Sequence, residues 1–539
     1  MRYTLAVILM VVGVVVSGLG LLQKTLWAPS DTITATTQID GSAPAVIVDP
    51  GMLNLYDTPA TLTAQGTGDL TIAQARIESI DAWVGDSPAA RITGLAAENG
   101  LTVEPKEGEA ELPNPVGSDL WEAEVTGTDT VSLDWDSDPN RTGFLIAGSG
   151  APGDVTSVSL SWPNRADTPW AIPLMIAGGA IFVIGLILLF LGRRTAKREA
   201  NRRQARQDRR RKLAEYGTAF AIVPVLALSA CGPAELPTPE ASPAPTTPMA
   251  GVSSGQAERI LGAVAADIAA ADKETDAKKL EARATGPALE QRTAVYTVKD
   301  KVKDQTMPPA IAADDIVVNF TAATDTWPRM TSLITSAGDQ TQLLVLTQDD
   351  ARADYKLWSQ TVLVPGTELP EIADARQGSQ PLDASAEGFA MTPQAAVADY
   401  AKALGAGASS KEAKLYEPDD FSKSIWANQD EQKKSAEEGK ASVKYSYEPG
   451  QQIVAQETAG DSAVVTGVIT ASSTITPQST GGRTGTLTLS TPQKELTGES
   501  STQQPVTTTT YQVLTFLVPQ DGKPRLIGGL ETLSGAKLG

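Results

Sequence analysis

The sequence predicts a multidomain membrane protein. An all-β, sandwich-like exterior domain comes first, and a tandem α+β exterior region follows, with helices packed on curved antiparallel sheet in the NTF2-like or cystatin-like manner. Three observations carry this. Apolar runs long enough to cross a bilayer flank residues 30–168. Between those runs, short β-prone stretches alternate with turn signals. Beyond residue 253, helical periodicity gives way to a series of strands, and does so twice. At 539 residues the chain exceeds one ordinary core, which also argues for several domains.

The anchor at 1–29 rests on Thr4–Leu22, which contains LAVILMVVGVVVSGLGLL behind Arg2 and is followed by Lys24, Trp27 and Pro29. As a helix this run matches the hydrocarbon thickness, and the tryptophan suits the membrane interface. It is longer than the roughly 7–15 apolar residues of a cleaved signal, and no small-x-small site closes it cleanly, so an uncleaved anchor is expected. The second helix, 169–192, contains WAIPLMIAGGAIFVIGLILLFL and no charged residue within that run. A basic loop, 193–215, begins at Arg193. Residues 193–212 hold eleven Lys or Arg against Glu199 and Asp208, while the whole chain carries −20. Positive residues stay cytoplasmic, so the second helix is expected to end inside, with residues 30–168 outside. The same loop is expected to meet anionic lipids.

A third apolar segment, 216–231, runs YGTAFAIVPVLALSA into Cys231, the only cysteine. A basic stretch, a short apolar run and Leu228-Ser229-Ala230-Cys231 have the layout of a lipoprotein signal, with Cys231 as the lipidated residue. The alternative is a short third span. Both put the remainder outside. A Pro/Ala/Thr tether, 232–253, then lifts the next domain away from the membrane.

In the first exterior domain, strands are expected at Thr32–Ile39, Ala45–Val48, Ala60–Ala64, Leu70–Ala73, Ala90–Ile92, Leu101–Val103, Leu120–Val125, Thr130–Leu133, Phe144–Ala147 and Ser157–Trp162. That spacing fits a sandwich or a barrel. Trp83, Trp121, Trp135 and Trp162 are expected as packing residues. The second exterior region divides into 254–390 and 391–535. The first unit has a helix over Gln256–Ala271, a second piece over Asp276–Ala284 closed by Gly286-Pro287, and strands at Arg292–Val298, Asp315–Phe320, Met330–Ile334, Gln342–Thr347 and Tyr355–Val364. The second unit has a helix over Pro393–Leu404 capped by Thr392, another over Asp420–Glu438, and strands at Ala441–Glu457, Ala463–Thr474, Gly485–Ser490, Thr507–Val518 and Leu526–Leu530. Gln493–Thr510 is expected as a loop.

The chain has no histidine and one cysteine. Internal disulfides and histidine-based triads or zinc sites are therefore excluded. A Walker A pattern is absent from the sequence. The acidic pairs Asp314-Asp315, Asp349-Asp350 and Asp419-Asp420 read as loop residues, since neighbouring side chains on a strand point to opposite faces. Trp327 and Arg329, with Tyr355, Lys356 and Trp358, form the most distinctive clusters. They read either as packing or as an exposed recognition patch. The acidic balance disfavours nucleic acid.

Leu53-Tyr56, Trp83, Ser118-Asp119-Leu120-Trp121 and Thr168-Pro169-Trp170 give the first half a resemblance to uncharacterised two-span membrane proteins of actinobacteria, the high-GC Gram-positive bacteria. Trp327-Pro328-Arg329, Leu343–Gln348, Tyr355–Trp358, Pro365-Gly366 and Leu369-Pro370 make the second half similar to a lipoprotein domain of unknown function from the same group. The resemblance implies a cell-envelope location and no known activity. The expected function is non-enzymatic: extracytoplasmic binding, scaffolding or assembly with an envelope protein partner, without catalytic residues, metal or cofactor. The alternatives are an auxiliary subunit of an envelope transport or secretion complex, and a carboxylate-based envelope enzyme.

Overall fold

The computed structural model describes residues 2–539 except 29, 42, 57, 97–99, 137–140, 165–167, 204–247, 339, 369–370, 374–376 and 481–482. The third apolar segment, Cys231 and Leu369-Pro370 lie outside the described residues.

Helix α1 (Arg2–Lys24) leads into β1 (Thr32–Gln38), β2 (Ala45–Val48), β3 (Ala60–Arg76), α2 (Ile77–Val84), β4 (Ala89–Ala96), β5 (Gly100–Lys106), β6 (Ala123–Trp135), β7 (Thr142–Ala147) and β8 (Val155–Pro163). Seven strands close into a barrel in the order β3-β7-β2-β4-β5-β1-β8, with β8 pairing back onto β3, and β6 adds to β3 as an eighth strand. The expected sandwich is thus a barrel, because the two runs read as separate strands, Ala60–Ala64 and Leu70–Ala73, are one bent strand. The first part of β3 pairs with β8 and the second with β7. The bend falls in the bulge between Gln65 and Asp69. Gly68 has φ +78°. A Cβ on Gly66 would lie 1.8 Å from the Asp154 carbonyl oxygen, so this turn requires glycine. Closure leaves fewer open edges than a sandwich.

All four tryptophans of this domain are buried. Trp162 stacks edge-on against Tyr56 at 5.0 Å and donates to the Leu53 carbonyl at 2.9 Å. Trp135 does the same with Phe144 at 5.3 Å. Helix α2, unmarked by the sequence reading, buries Ile80, Trp83 and Val84 at helical spacing.

Helix α3 (Ala171–Arg203) returns alongside α1. Tyr3–Lys24 and Ala171–Arg194 are both long and apolar enough to cross a membrane, each with mean hydropathy 2.8. They run antiparallel: Gly13 meets Gly178, and Gly20 meets Ala171 at one end, while Gly192 meets Tyr3 at the other. A Cβ on Gly13 would fall 2.6 Å from the Gly178 oxygen, so small residues set this close approach.

The remaining helices are α4 (Ser254–Glu274), α5 (Ala277–Arg283), α6 (Gly286–Lys301), α7 (Pro393–Ala406), α8 (Asp420–Glu438) and α9 (Thr491–Thr497). The long strands are β9 (Ile316–Thr321), β10 (Arg329–Ala337), β11 (Gln340–Gln348), β12 (Lys356–Leu363), β14 (Ala441–Glu457), β15 (Ser462–Pro477), β20 (Val506–Pro519) and β21 (Arg525–Leu538), with short β13 at Pro381–Leu382. Two-residue ladders join β16 (Ser479–Thr480) to β17 (Arg483–Thr484) and β18 (Leu487–Thr488) to β19 (Ser501–Thr502).

The tandem units share one nine-stranded sheet, β13-β14-β15-β20-β21-β12-β11-β10-β9. They meet where Val362 and Leu363 pair with Gly529 and Gly528. Across that junction Thr515 shares hydrogen bonds with Thr361 at 3.1 Å and Thr466 at 2.9 Å. Helix α4 places Ile260, Leu261, Val264 and Ile268 against Leu333, Leu344 and Leu357, and α7 places Val397, Tyr400 and Leu404 against Val465, Leu514 and Phe516. Arg292–Val298 is helix α6 and not a strand. Pro287 sits in its first turn, where its missing N–H costs nothing, so Gly286-Pro287 opens this helix and does not merely close the preceding one. Gly485–Ser490 contributes only β18, and the Gln493–Thr510 loop contains most of α9 and the start of β20.

Candidate functional site

The second unit curls around a half-open cavity of about 470 Å³ between the sheet, α8 and α9. Its origin lies in strand alternation. On one face of β20, Val518, Phe516 and Leu514 fill the core, and the same face continues as Gln512, Thr510 and Thr508. Cross-strand neighbours extend the polar surface. Gln512 pairs with Glu531 of β21, Thr508 with Ser473 of β15, and Ser473 with Tyr445 of β14. The β14 ladder shifts between Pro449 and Ile453, a bulge of the kind that increases twist and curl.

Hydrogen bonds fix the walls. The Gln429 amide donates to the Leu404 carbonyl at 3.0 Å and to the Tyr447 hydroxyl at 2.8 Å. The Tyr445 hydroxyl lies 3.1 Å from Gln432 Oε1. Gln493 donates to Thr508 at 2.9 Å from α9, whose N-terminus is closed by a capping box at Ser490. The Gln512 amide nitrogen donates to Glu531, and its own Oε1 is buried without a donor. Solvent reaches Glu531 through the cavity, but the crowded walls desolvate its carboxyl and raise its pKa, partly offset by the Gln512 hydrogen bond. Tyr445 is pushed up to about 12, chiefly by burial.

None of these residues was singled out from sequence. The available signal was the polar turn taken by one face of Thr508-Thr510-Gln512 ahead of Leu514 and Phe516.

The five residues read as a recognition patch are distributed otherwise. Trp327, Arg329 and Tyr355 come together at the seam between the barrel and the C-terminal region, whereas Lys356 and Trp358 do not join them. Lys356 donates to the Glu281 carbonyl at 2.8 Å, and Trp358 packs with Phe320, Ile334 and Leu343 in another cluster. Trp327 packs with Trp83, Trp121 and Ala351 in one apolar cluster drawn from both domains. Trp83 and Trp121 meet edge-on at 5.2 Å. Arg329 lies 3.8 Å over the Trp327 ring, buried, with Nε and Nη2 lacking partners. Its pKa is pushed down to about 10 by burial, with Arg76 adding repulsion.

Polar groups complete the seam. Asp325 accepts from Arg76 at 3.2 Å and Arg141 at 2.9 Å, and Arg76 also donates to the Met249 and Thr324 carbonyls. Asp119 accepts from Arg283 and from the Tyr355 backbone N–H. Arg352 donates to the Trp83 and Val84 carbonyls at 2.8 and 3.0 Å, a cation on the C-terminal end of α2.

Three of the paired acidic residues serve local structure. Asp350 accepts from two backbone N–H groups of its turn, Asp419 caps α8, and Asp420 pairs with Lys423 at 2.8 Å. Among the described residues, Glu531 is the only carboxylate lining the cavity. Among the described residues, no group of three or more Asp, Glu, His or Cys is placed to hold a metal ion.

Fold and cavity together define a chain with two helices long and apolar enough to cross a membrane and a C-terminal α+β region that carries a polar cleft. Residues 250–537 match the domain of unknown function DUF8094, and the chain belongs to that family. No curated protein and no solved structure matches it.

Proposed function

We propose that this is a membrane-anchored, actinobacterial cell-envelope protein that holds a non-catalytic binding domain outside the cell. The cavity is the observation that carries the reading. It is a preformed concave site within the usual small-ligand range of about 300–1,000 Å³, with a single carboxylate and no nucleophile–base pair in its lining.

Orientation follows from charge and geometry. Arg193 and Arg194 lie at the end of the helix pair away from the barrel, and positive residues favour the cytoplasm. The DUF8094 domain docks on the barrel, which favours the same side for both. In this reading the apolar segment 216–230 brings the chain back across the membrane or serves as a lipoprotein signal ending at Cys231.

Photo-cross-linking in native membranes from a probe at Thr488, an exposed position on the cavity rim, tests the binding role. A discrete adduct is expected, and the absence of any adduct overturns the role. Intact-mass and lipid analysis against Cys231→Ala separates the two fates of the segment. An acylated fragment starting at Cys231 establishes processing, and one unlipidated full-length species rejects it.

A further inference from the structure

Resting on that binding role, we propose that the cavity takes a neutral, polyhydroxylated ligand, a carbohydrate in chemical class. Among the described residues, the lining contains no Lys or Arg and one carboxylate, Glu531, so the local field repels phosphate or carboxylate groups. A lipid tail would need continuous apolar walls. Here Ile425, Ala471 and Ile475 are outnumbered by amides, hydroxyls and phenols. A metal ion would find a single carboxylate.

What remains is a surface rich in groups that both donate and accept. Side-chain amides supply two donors and an acceptor, and hydroxyls supply both functions, as sugar hydroxyls do. The cavity also offers a fixed acceptor. Gln512 is buried and its Nε2 donates to Glu531, which holds the exposed Glu531 carboxylate in place. A ligand hydroxyl can donate to that carboxylate. Tyr445 and Tyr447 bring two aromatic rings to the same wall, a surface suited to the apolar C–H faces of a sugar ring.

The test uses the full chain in lipid nanodiscs, since glycosidic detergents would compete. Maltose, trehalose and chitobiose are titrated by calorimetry beside glucose 6-phosphate and galacturonic acid, and a wider set of neutral glycans is screened on an array. Saturable binding of a neutral glycan is expected, with the charged probes at least tenfold weaker. Gln512→Leu should abolish that binding. Asn428→Ala and Gln432→Ala, at exposed positions of α8 where folding is unaffected, should weaken it at least fivefold. No retention of any neutral glycan overturns the proposal, as does equal binding of the phosphorylated probe or indifference to the two rim substitutions. An adduct at Thr488 without glycan binding refutes the carbohydrate class and leaves the binding role standing. Loss of both refutes both.

Discussion

At the scale of single residues, two buried arginines of the seam make opposite predictions. Asp325 is shared by Arg76 and Arg141, whose side chains are 8% and 11% exposed. Burial draws the Arg76 guanidinium below its ordinary pKa, and Asp325 draws it back up. Asp325→Asn removes the carboxylate that these two cations share; Arg141 keeps Glu78 at 2.6 Å, and Arg76 is left with the Met249 and Thr324 carbonyls. Breaking a buried charge pair this way costs about 2–5 kcal/mol. Chemical denaturation should show that loss, and hydrogen exchange should rise around Met249 and Thr324. Among the described residues, Arg329 has no carboxylate within ion-pair distance, and two of its nitrogens lack a hydrogen-bond partner. Arg329→Met keeps an unbranched chain over the Trp327 ring and removes a desolvated charge, so stability should hold or rise. A large loss in the same denaturation experiment would show that Arg329 has a counter-charge. Glu531 gives a pH signature. Its folded-state pKa is raised, so its contribution is fully present below the ordinary glutamate value and is lost as pH rises through the raised one. Glu531→Gln should therefore raise Tm at neutral pH, with the advantage shrinking in acid. An advantage that persists unchanged in acid would assign the effect to packing instead.

Elements were legible where one face stayed uniform along their length. The one-sided apolar spacing of Ile260, Leu261, Val264 and Ile268 marks α4, and Asp420–Glu438 coincides with α8. Elements with a local irregularity were misread. In β3 the Gly66-Thr67-Gly68 turn resembles a loop between two strands, although it is the bend that lets β3 pair with both β8 and β7. Gly66→Ala should accordingly destabilise the barrel far beyond the usual cost of a surface alanine, because its Cβ has no room against Asp154. A Tm within a degree or two of the parent would show that the bend can relax. In α6, Pro287 reads as punctuation until its first-turn position is known. In α9, the Ser490–Gln493 capping box is a helix-start signal hidden within a Ser/Thr/Gln-rich stretch. The cavity escaped notice for a related reason. Threonines and glutamines facing inward are indistinguishable in sequence from those facing water until the curl of the sheet defines an inside.

For the whole molecule, the seam gives several of the most distinctive stretches a common physical role. Trp83 and Asp119-Leu120-Trp121 from the barrel meet Trp327, Arg329 and Tyr355 from the DUF8094 domain. The distinctive aromatic and basic residues thus recognise the chain's own other half. Sequence could not assign this role, since a surface covered by a distant segment has the composition of one awaiting a partner. Such a seam should survive loss of the covalent connection. A protease site placed within 232–246 of the full chain, in a Cys231→Ala background that removes any lipid anchor, tests it on native membranes. After cleavage, the C-terminal fragment should stay with the membrane fraction at 0.5 M salt, because the apolar cluster and buried ion pairs are screened far less than surface charges. Adding Asp325→Asn should release it into the supernatant. Release of the parent fragment by salt alone would mean that exposed charges, and not the Trp83–Trp121–Trp327 cluster, hold the domains together.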